Sequence, residues 1–407
     1  MIVRSPALYG MAHIMRLAFA GNDLRELTAE LVGRLTDNER DAAALLDLAV
    51  VHQLNGQHAT ALELQWQALR QQQHFRLRSN PFRPSVRLLA IMGPGPVMDN
   101  TPIEFLMEDS DIALELLYVG AGLPPMHDIP AHDVAFIAVC ESDANQLLLR
   151  QLQTVVTYWP CPHLNAPKRI AALARDGLSE LLSGLTGVEV VQSQRVSRLE
   201  LTQPADLSLT YPLIIRPANS HAGHGLCRLE AASQIADYLG QHAEDEFSVA
   251  PFVDYRSSAD NLYRKYRVAS IAGQAYPAHM AVSPRWMVHY LNADMLENAE
   301  NRAAEQRFMD RFDWEFGARH KSALAQINDR LGLDYYSIDC GETTDGRLLV
   351  FEIDSGAVVH AMDPIDVFPY KRPHIQKLFS AFQGLVKRSA WGTSRSVTEH
   401  RRRRPAA

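Results

Sequence analysis

Leu24, Leu27, Leu31 and Leu35 recur at three- and four-residue spacing, the period of one buried helix face. The run stops at Thr36-Asp37-Asn38, a polar helix end. Helical patterning resumes and continues to about residue 78. Within it Ala49, Gly56, Ala61 and Ala68 fall at offsets 0, 7, 12 and 19, where a tetratricopeptide unit places small residues so that two antiparallel helices can approach closely. One unit is too few for a self-supporting solenoid, so this pair is expected to pack on the rest of the chain. Residues 1–80 are accordingly read as a helical, tetratricopeptide-like region. It closes at Asn80-Pro-Phe-Arg-Pro84, because proline rejects helix at itself and at the residue before it.

The period then changes. Val86 to Met92, Leu114 to Val119 and Val134 to Val139 are short apolar runs that alternate with helix-length segments, the pattern of buried parallel strands. A parallel α/β layer is expected over 85–185, closed by a helix from Lys168 to Ser183. Mixed strands and hairpins follow over 186–256, then an α+β segment over 257–386. Residues 387–407 hold seven basic residues against one acid, Glu399, without apolar periodicity. They read as a disordered basic tail.

Composition narrows the class. The chain has 407 residues, 47% of them apolar and 21% charged, which suits a folded protein of two or three units. Its net charge is −7, and about −13 without the basic tail, so the body has no electrostatic reason to bind nucleic acid. No stretch reaches ~18 uninterrupted apolar residues, and His13 and Arg16 break the N-terminal apolar run; neither a signal core nor a membrane span is expected. The four cysteines are far apart and form no CxxC pair, which fits reduced thiols and a cytoplasmic location. Cys161-Pro-His163 lacks a second metal-binding pair and reads as incidental. Nothing in the pattern decides between a monomer and a homo-oligomer.

Candidate chemistry concentrates in Tyr335 to Asp354. Asp345-Gly346, flanked by alternating apolar residues, predicts a two-residue type I′ hairpin turn. With that turn Thr344 faces Arg347 and Asp339 lies opposite Glu352. Side chains alternate along a strand, so Asp354 shares the face of Glu352, while Ile338, Cys340, Phe351 and Ile353 point to the other side. Facing carboxylates repel and raise each other's pKa. Three on one face therefore call for a cation, and hard oxygen ligands suit Mg²⁺ or Mn²⁺. The simpler alternative is a solvated face on which each carboxylate pairs with its own Lys or Arg.

Three further segments carry cations or small residues. The strand Tyr211 to Pro217 delivers Arg216 to the loop Ser220-His221-Ala222-Gly223-His224-Gly225, whose glycines let backbone N–H groups close on an anion. Phe247 to Asp254 reads as a strand entering a crossover, whose backbone at Phe252 and Val253 suits an adenine edge and whose Asp254 suits a ribose. In Arg264-Lys-Tyr-Arg267, Lys265 and Arg267 share one strand face and suit phosphate.

Taken in order, Ile214-Ile-Arg-Pro…Gly225, Lys265-Tyr-Arg267 and Asp339…Phe-Glu352-Ile-Asp354 resemble the carboxylate–amine ligases of the ATP-grasp superfamily. That group includes D-alanine–D-alanine ligase, glutathione synthetase and the ribosomal-protein glutamate ligases. The resemblance spans about residues 86–386, and the layer holding Asn100-Thr-Pro102 and Leu164-Asn-Ala-Pro167 looks like the domain that precedes the nucleotide-binding lobes. It implies a small lobe over 186–256 and a large lobe over 257–386 clasping ATP. Arg216, Ser220, His221, Gly223, Gly225, Phe252, Val253, Asp254 and Lys265 would bind ATP. Arg267 would steady the transferred phosphoryl and acyl oxygens, and Asp339, Glu352 and Asp354 would hold Mg²⁺. Two positions depart from the family pattern: Arg216 stands where lysine is usual, and Asp354 where the metal motif commonly ends in Asn.

The implied reaction is ADP-forming amide synthesis between a small-molecule carboxylate and an amine, through an acylphosphate. His279 and His289, in Tyr276 to Tyr290, are candidates for substrate binding or for the amine proton. One alternative keeps the fold and modifies a peptide or protein acceptor held by the helical pair. Another is a non-catalytic nucleotide-binding scaffold, against which the full carboxylate trio counts.

Overall fold

The computed structural model describes residues 6–125, 128–203, 207–220 and 223–402, with side chains to 392 in the final helix. Four helices open the chain: α1 (Met11–Phe19), α2 (Arg25–Asp37), α3 (Ala42–Leu54) and α4 (His58–Gln71). Leu27 and Leu31 are buried as their spacing requires. Asp41 caps α3 by accepting from the Ala44 N–H at 3.0 Å and also pairs with Arg34. Ala49, Ala61 and Ala68 are buried where α3 and α4 pack against each other. Ala68 and Leu69 also enter the main core, so the pair leans on the rest of the molecule as expected.

The helical reading to residue 78 is interrupted by β1 (His74–Arg76). Phe75 is buried while His74 and Arg76 both pair with Glu115, a period-two pattern too short to register in the sequence. Beside β1 stand β2 (Val86–Met92), β3 (Ile112–Tyr118), β4 (Val134–Ile137) and β5 (His163–Leu164), in the order β1-β3-β2-β4-β5. β2 through β5 are parallel and β1 is an antiparallel edge. The expected parallel layer is therefore present.

Two α+β lobes follow. β6 (Val188–Val190) pairs away from its chain neighbours. β7 (Gln194–Ser197), β8 (Leu213–Pro217), β9 (Cys227–Leu229) and β10 (Glu246–Pro251) form a sheet in the order β7-β10-β8-β9. This small lobe closes on its own core, in which Ile215, Tyr238 and Phe247 are buried together. β11 (Tyr263–Ile271), β12 (Gln274–Ser283), β13 (Tyr335–Glu342) and β14 (Leu348–Asp354) form the large-lobe sheet, which β6 extends in parallel beside β14.

Two expectations differ. Lys168–Ser183 is not continuous: a helix at Pro167–Ile170, a 3-10 turn at Ala171–Leu173 and a helix at Leu178–Leu181 are separated by Ala174 to Gly177. Asp176-Gly177 favours a break there. Conversely, residues 387–402 continue the helix Lys371–Arg402. The basic-tail boundary at 387 fails because Val386 and Ala390 are buried and Lys387 pairs with Asp111 at 2.6 Å. Residues 403–407 lie outside the described residues.

The N-terminus of α1 is held by two carboxylates. Asp47 accepts from the N–H groups of Tyr9 and Gly10 at 2.9 and 3.1 Å, and Glu104 from that of Ala12 at 3.0 Å. Burial pushes the Glu104 carboxyl up to about 7, against a downward pull from the Ala12 and Met11 N–H groups. A carboxyl raised in the folded state gives stability that is complete below its unfolded pKa and lost as pH rises through the folded value. The wild type should thus lose stability between about pH 4.5 and pH 7. Urea melts of Glu104→Gln should show that part of the pH dependence flattened; an identical profile would discount Glu104.

Candidate active site

Asp339 does face Glu352, but by a different route from the expected one. The turn is a three-residue loop, Thr344-Asp345-Gly346, closed by the Thr343 N–H donating to the Arg347 carbonyl at 3.0 Å. Gly346 takes φ 82°, the left-handed position such a loop requires. Pairs next to it are displaced by one, with Cys340 opposite Val350 and Glu342 opposite Leu348. A bulge at Phe351 then restores the register, giving Asp339–Glu352, Ile338–Ile353 and Ser337–Asp354. The bulge turns Phe351 toward the site. Phe351 lines the cavity together with Asp339 and Glu352, not the opposite face.

Links from the parallel layer hold this hairpin in place. Asn165 donates through Nδ2 to the Tyr335 carbonyl at 2.7 Å and accepts at Oδ1 from the Asp334 and Tyr335 N–H groups at 2.9 Å each. The Thr101 hydroxyl donates to the Ser355 carbonyl at 2.9 Å.

A cavity of about 220 Å³ lies between the small-lobe and large-lobe sheets. Its wall includes the apolar side chains of Ile214, Ala250, Phe252, Val253, Tyr255, Trp286 and Phe351. It also carries Arg175, Arg216, Lys265 and Arg267 with Asp339 and Glu352. Arg267 binds Asp339 in a fork, Nε to Oδ1 at 2.7 Å and Nη2 to Oδ2 at 3.0 Å, and Lys265 reaches Oδ2 at 2.7 Å. Burial alone would raise the Asp339 carboxyl, but Arg267 and Lys265 outweigh it and hold it far below the usual carboxylate range. Glu352 pairs with Arg175 at 2.5 Å. Asp354 accepts from the Gly356 N–H at 2.7 Å; burial and neighbouring Glu352 push it up to about 6.

Arg216 is held by its own loop, donating from Nε to the Ser220 hydroxyl at 2.9 Å and from Nη2 to the Ser220 carbonyl. Burial first, and Arg175 second, pull its pKa down to about 10. Gly225 has φ 65°, and a Cβ there would lie 2.6 Å from Pro217 Cδ, so the close return of the loop needs glycine. Gly223 lines the cavity. Ser220 acts from behind, through Arg216, while His221 lies outside the described residues. Phe252 lines the cavity edge-on to Trp286, with Arg228 over its ring at 3.9 Å.

Asp254 does not line the cavity. It is exposed and paired with Arg256 at 2.6 Å, on the opposite side of the extended crossover from Val253 and Tyr255, which line the cavity. His289 lines the cavity, whereas His279 lies across the strand pair from Arg267 with its ring against Tyr290. Burial, then nearby cations, lower both imidazoles. Arg175, Trp286 and Phe351 are the site residues that sequence reasoning missed. The signal for Arg175 was the Asp176-Gly177 break that frees it from a helix.

The donor set Asp339, Glu352 and Asp354 offers hard oxygens; among the described residues Glu352 forms an ion pair with Arg175 and Asp354 forms none. Carboxylate oxygens of this kind fit a divalent ion. Among the described residues no three such groups gather at metal-ligand spacing, and Asp339 is engaged by Lys265 and Arg267.

No family model matches the chain, and no curated protein matches it. Solved structures do. It is similar to the VanG D-Ala:D-Ser ligase of Enterococcus faecalis at 14% identity, covering 74% of this chain and 99% of that one, with a TM-score of 0.46. D-alanine–D-alanine ligase of Bacillus anthracis, complexed with ATP, is 12% identical over 77% of this chain and 99% of its own, with a TM-score of 0.47. A RimK domain protein ATP-grasp of Sphaerobacter thermophilus is 16% identical over 74% and 99%, with a TM-score of 0.41. At such distances the functional reading rests on the residues of this chain. Among the described residues, no helix is long and apolar enough to cross a membrane.

Proposed function

We propose that the chain is an ATP- and Mg²⁺-dependent, ADP-forming carboxylate–amine ligase of the ATP-grasp type acting on small molecules. One observation carries this reading: the wall of a single interlobe cavity combines flat apolar side chains with four cations and two carboxylates. Phosphates need such cations, and a flat base needs such walls.

In the proposed reaction a substrate carboxylate oxygen attacks the γ-phosphorus and the bond to the β-phosphate oxygen breaks, its electron pair leaving with ADP. The amine lone pair then attacks the acyl carbon. Phosphate departs with the C–O pair, and the amine proton passes to a base. Arg216 and Lys265 offset phosphate charge, while Arg267 steadies oxygens as charge moves onto them. Glu352 and Asp354, with Asp339 once its cations turn to phosphate, would hold Mg²⁺, which when bound neutralises phosphate oxygens. Neutral His289, beside Lys265, suits the amine proton.

A phosphate- and ADP-release screen over paired amino acids and short acids tests the reading. Turnover should require ATP, Mg²⁺ and both substrates together; failure to bind ATP at all would sink it.

A further inference from the structure

Arg175 has no task in the reaction proposed above, yet it stands where three parts of the molecule meet. It comes from neither lobe: the break between the helices Pro167–Ile170 and Leu178–Leu181 carries it. Its Nη2 donates to Glu352 Oε1 of β14 at 2.5 Å, and its Nη1 reaches the Ala218 carbonyl, at the start of the Arg216 loop, at 3.5 Å. A second cavity of about 520 Å³ opens beside the first, and Glu352 lines both. Among the described residues Arg175 is the one arginine or lysine that also lines both.

The Arg175–Glu352 pair stands in the way of the chemistry it adjoins. A guanidinium nitrogen in contact with a carboxylate oxygen lies where a divalent ion would bind, and two cations on one carboxylate repel each other. Glu352 can therefore serve a metal only as Arg175 withdraws. A guanidinium stays charged, so withdrawal needs another anionic partner. The place for one is next to it: Arg216 lines the first cavity as well, and Arg175 is close enough to help pull the Arg216 pKa down. Two guanidiniums facing one cavity, with their carboxylate taken by a metal, form a seat for phosphate oxygens. Asp339 is held more firmly, being 6% exposed and engaged by both Lys265 and Arg267. Glu352 has Arg175 alone as an ion-pair partner among the described residues.

We infer that Arg175 is an exchangeable counter-ion, which holds Glu352 before substrate binds and passes to nucleotide phosphate as the divalent ion takes its place. This rests on the ligase reading and gives one more residue of that site a task. Nucleotide and metal then favour each other through a single side chain, because each removes one half of the pair that obstructs the other.

The test follows Mn²⁺ in the full chain without nucleotide, by loss of the free-ion electron paramagnetic resonance signal. Arg175→Gln should bind Mn²⁺ about five-fold tighter than wild type, the scale of one partly exposed charge pair. Arg175→Lys keeps the charge and should stay near wild type, and Arg175→Gln/Glu352→Gln should lose the gain. In metal-free buffer, calorimetry with a non-hydrolysable ATP analogue should give the mirror image. Arg175→Gln should bind it about five-fold more weakly, and Glu352→Gln, which frees Arg175 without altering it, should bind it tighter by a like factor. Unchanged or weaker Mn²⁺ binding in Arg175→Gln, a gain that persists in the double variant, or no tightening of the analogue in Glu352→Gln would each overturn the inference; the last holds even if Arg175→Gln fails to fold. If wild type binds the analogue with Mn²⁺ and these shifts are absent, the ligase reading stands without the exchange. If wild type binds no analogue at all, the ligase reading falls first.

Discussion

Glu352→Gln is expected to cut Mg²⁺-dependent ADP release by about 100-fold or more while leaving thermal stability nearly unchanged. The two effects separate because of where the charge sits. The Glu352 side chain is 36% exposed and, among the described residues, has one ion-pair partner, Arg175, itself 22% exposed, so neutralising it strands no fully buried ion. Asp339→Asn should abolish turnover as well, but at a cost to the fold. Its side chain is only 6% exposed and faces Lys265 and Arg267. Removing its charge leaves two cations in a confined space without a counter-ion, a defect that costs about 3–5 kcal/mol in buried pairs. Melting curves and ADP assays on the two variants should therefore give one pair of like results and one of unlike results. Unaltered ADP release in Glu352→Gln would remove Glu352 from the site and leave the carboxylates as ordinary ion-pair members.

The central pairing was readable from sequence for a reason the sequence did not disclose. Alternation and the Asp345-Gly346 turn predicted Asp339 opposite Glu352, yet the turn holds one more loop residue than expected and the bulge at Phe351 compensates. Period-two logic locates charged residues relative to apolar ones, but a bulge leaves no periodic trace until the partner strand is known. Phe351 was therefore assigned to the wrong face. Arg216, Lys265 and Arg267 were legible because a cation inside an apolar strand has few other uses. Arg175 was not, because helical spacing over Lys168 to Ser183 continued across the break and hid it. Asp254 looked poised for a ligand only because Arg256, two residues on, pairs with it through a local turn that sequence spacing does not reveal. The basic stretch after 386 read as tail because charge dominates it, while the few apolar contacts that extend the helix, such as Ala390, depend on what packs beside them.

Glu305→Ala should be the most destabilising single change outside the cavity, by about 3–5 kcal/mol, because it leaves several buried donors unpaired and removes one of the two carboxylates beside the buried Lys371 ammonium, which keeps Asp363 at 3.1 Å. Glu305 is fully buried and accepts from the Met280 N–H at 3.0 Å, from the Tyr290 hydroxyl at 2.9 Å and from the Tyr370 hydroxyl at 2.6 Å, with Lys371 at 3.6 Å. These partners come from β12, from the segment that follows His289 and from the start of the final helix. One carboxylate thus ties the wall bearing Trp286 and His289 to the large-lobe body. Glu305→Gln keeps the shape and should recover part of the loss, since an amide still accepts two of the donors. Urea midpoints across wild type, Gln and Ala should fall in that order. ATP affinity should weaken in the Ala variant under conditions where it remains folded, because the wall carrying Trp286 and His289 loses its anchor. If Ala melts like wild type, the buried cluster contributes nothing net; if it melts early but binds ATP normally, the wall holds its position without this anchor.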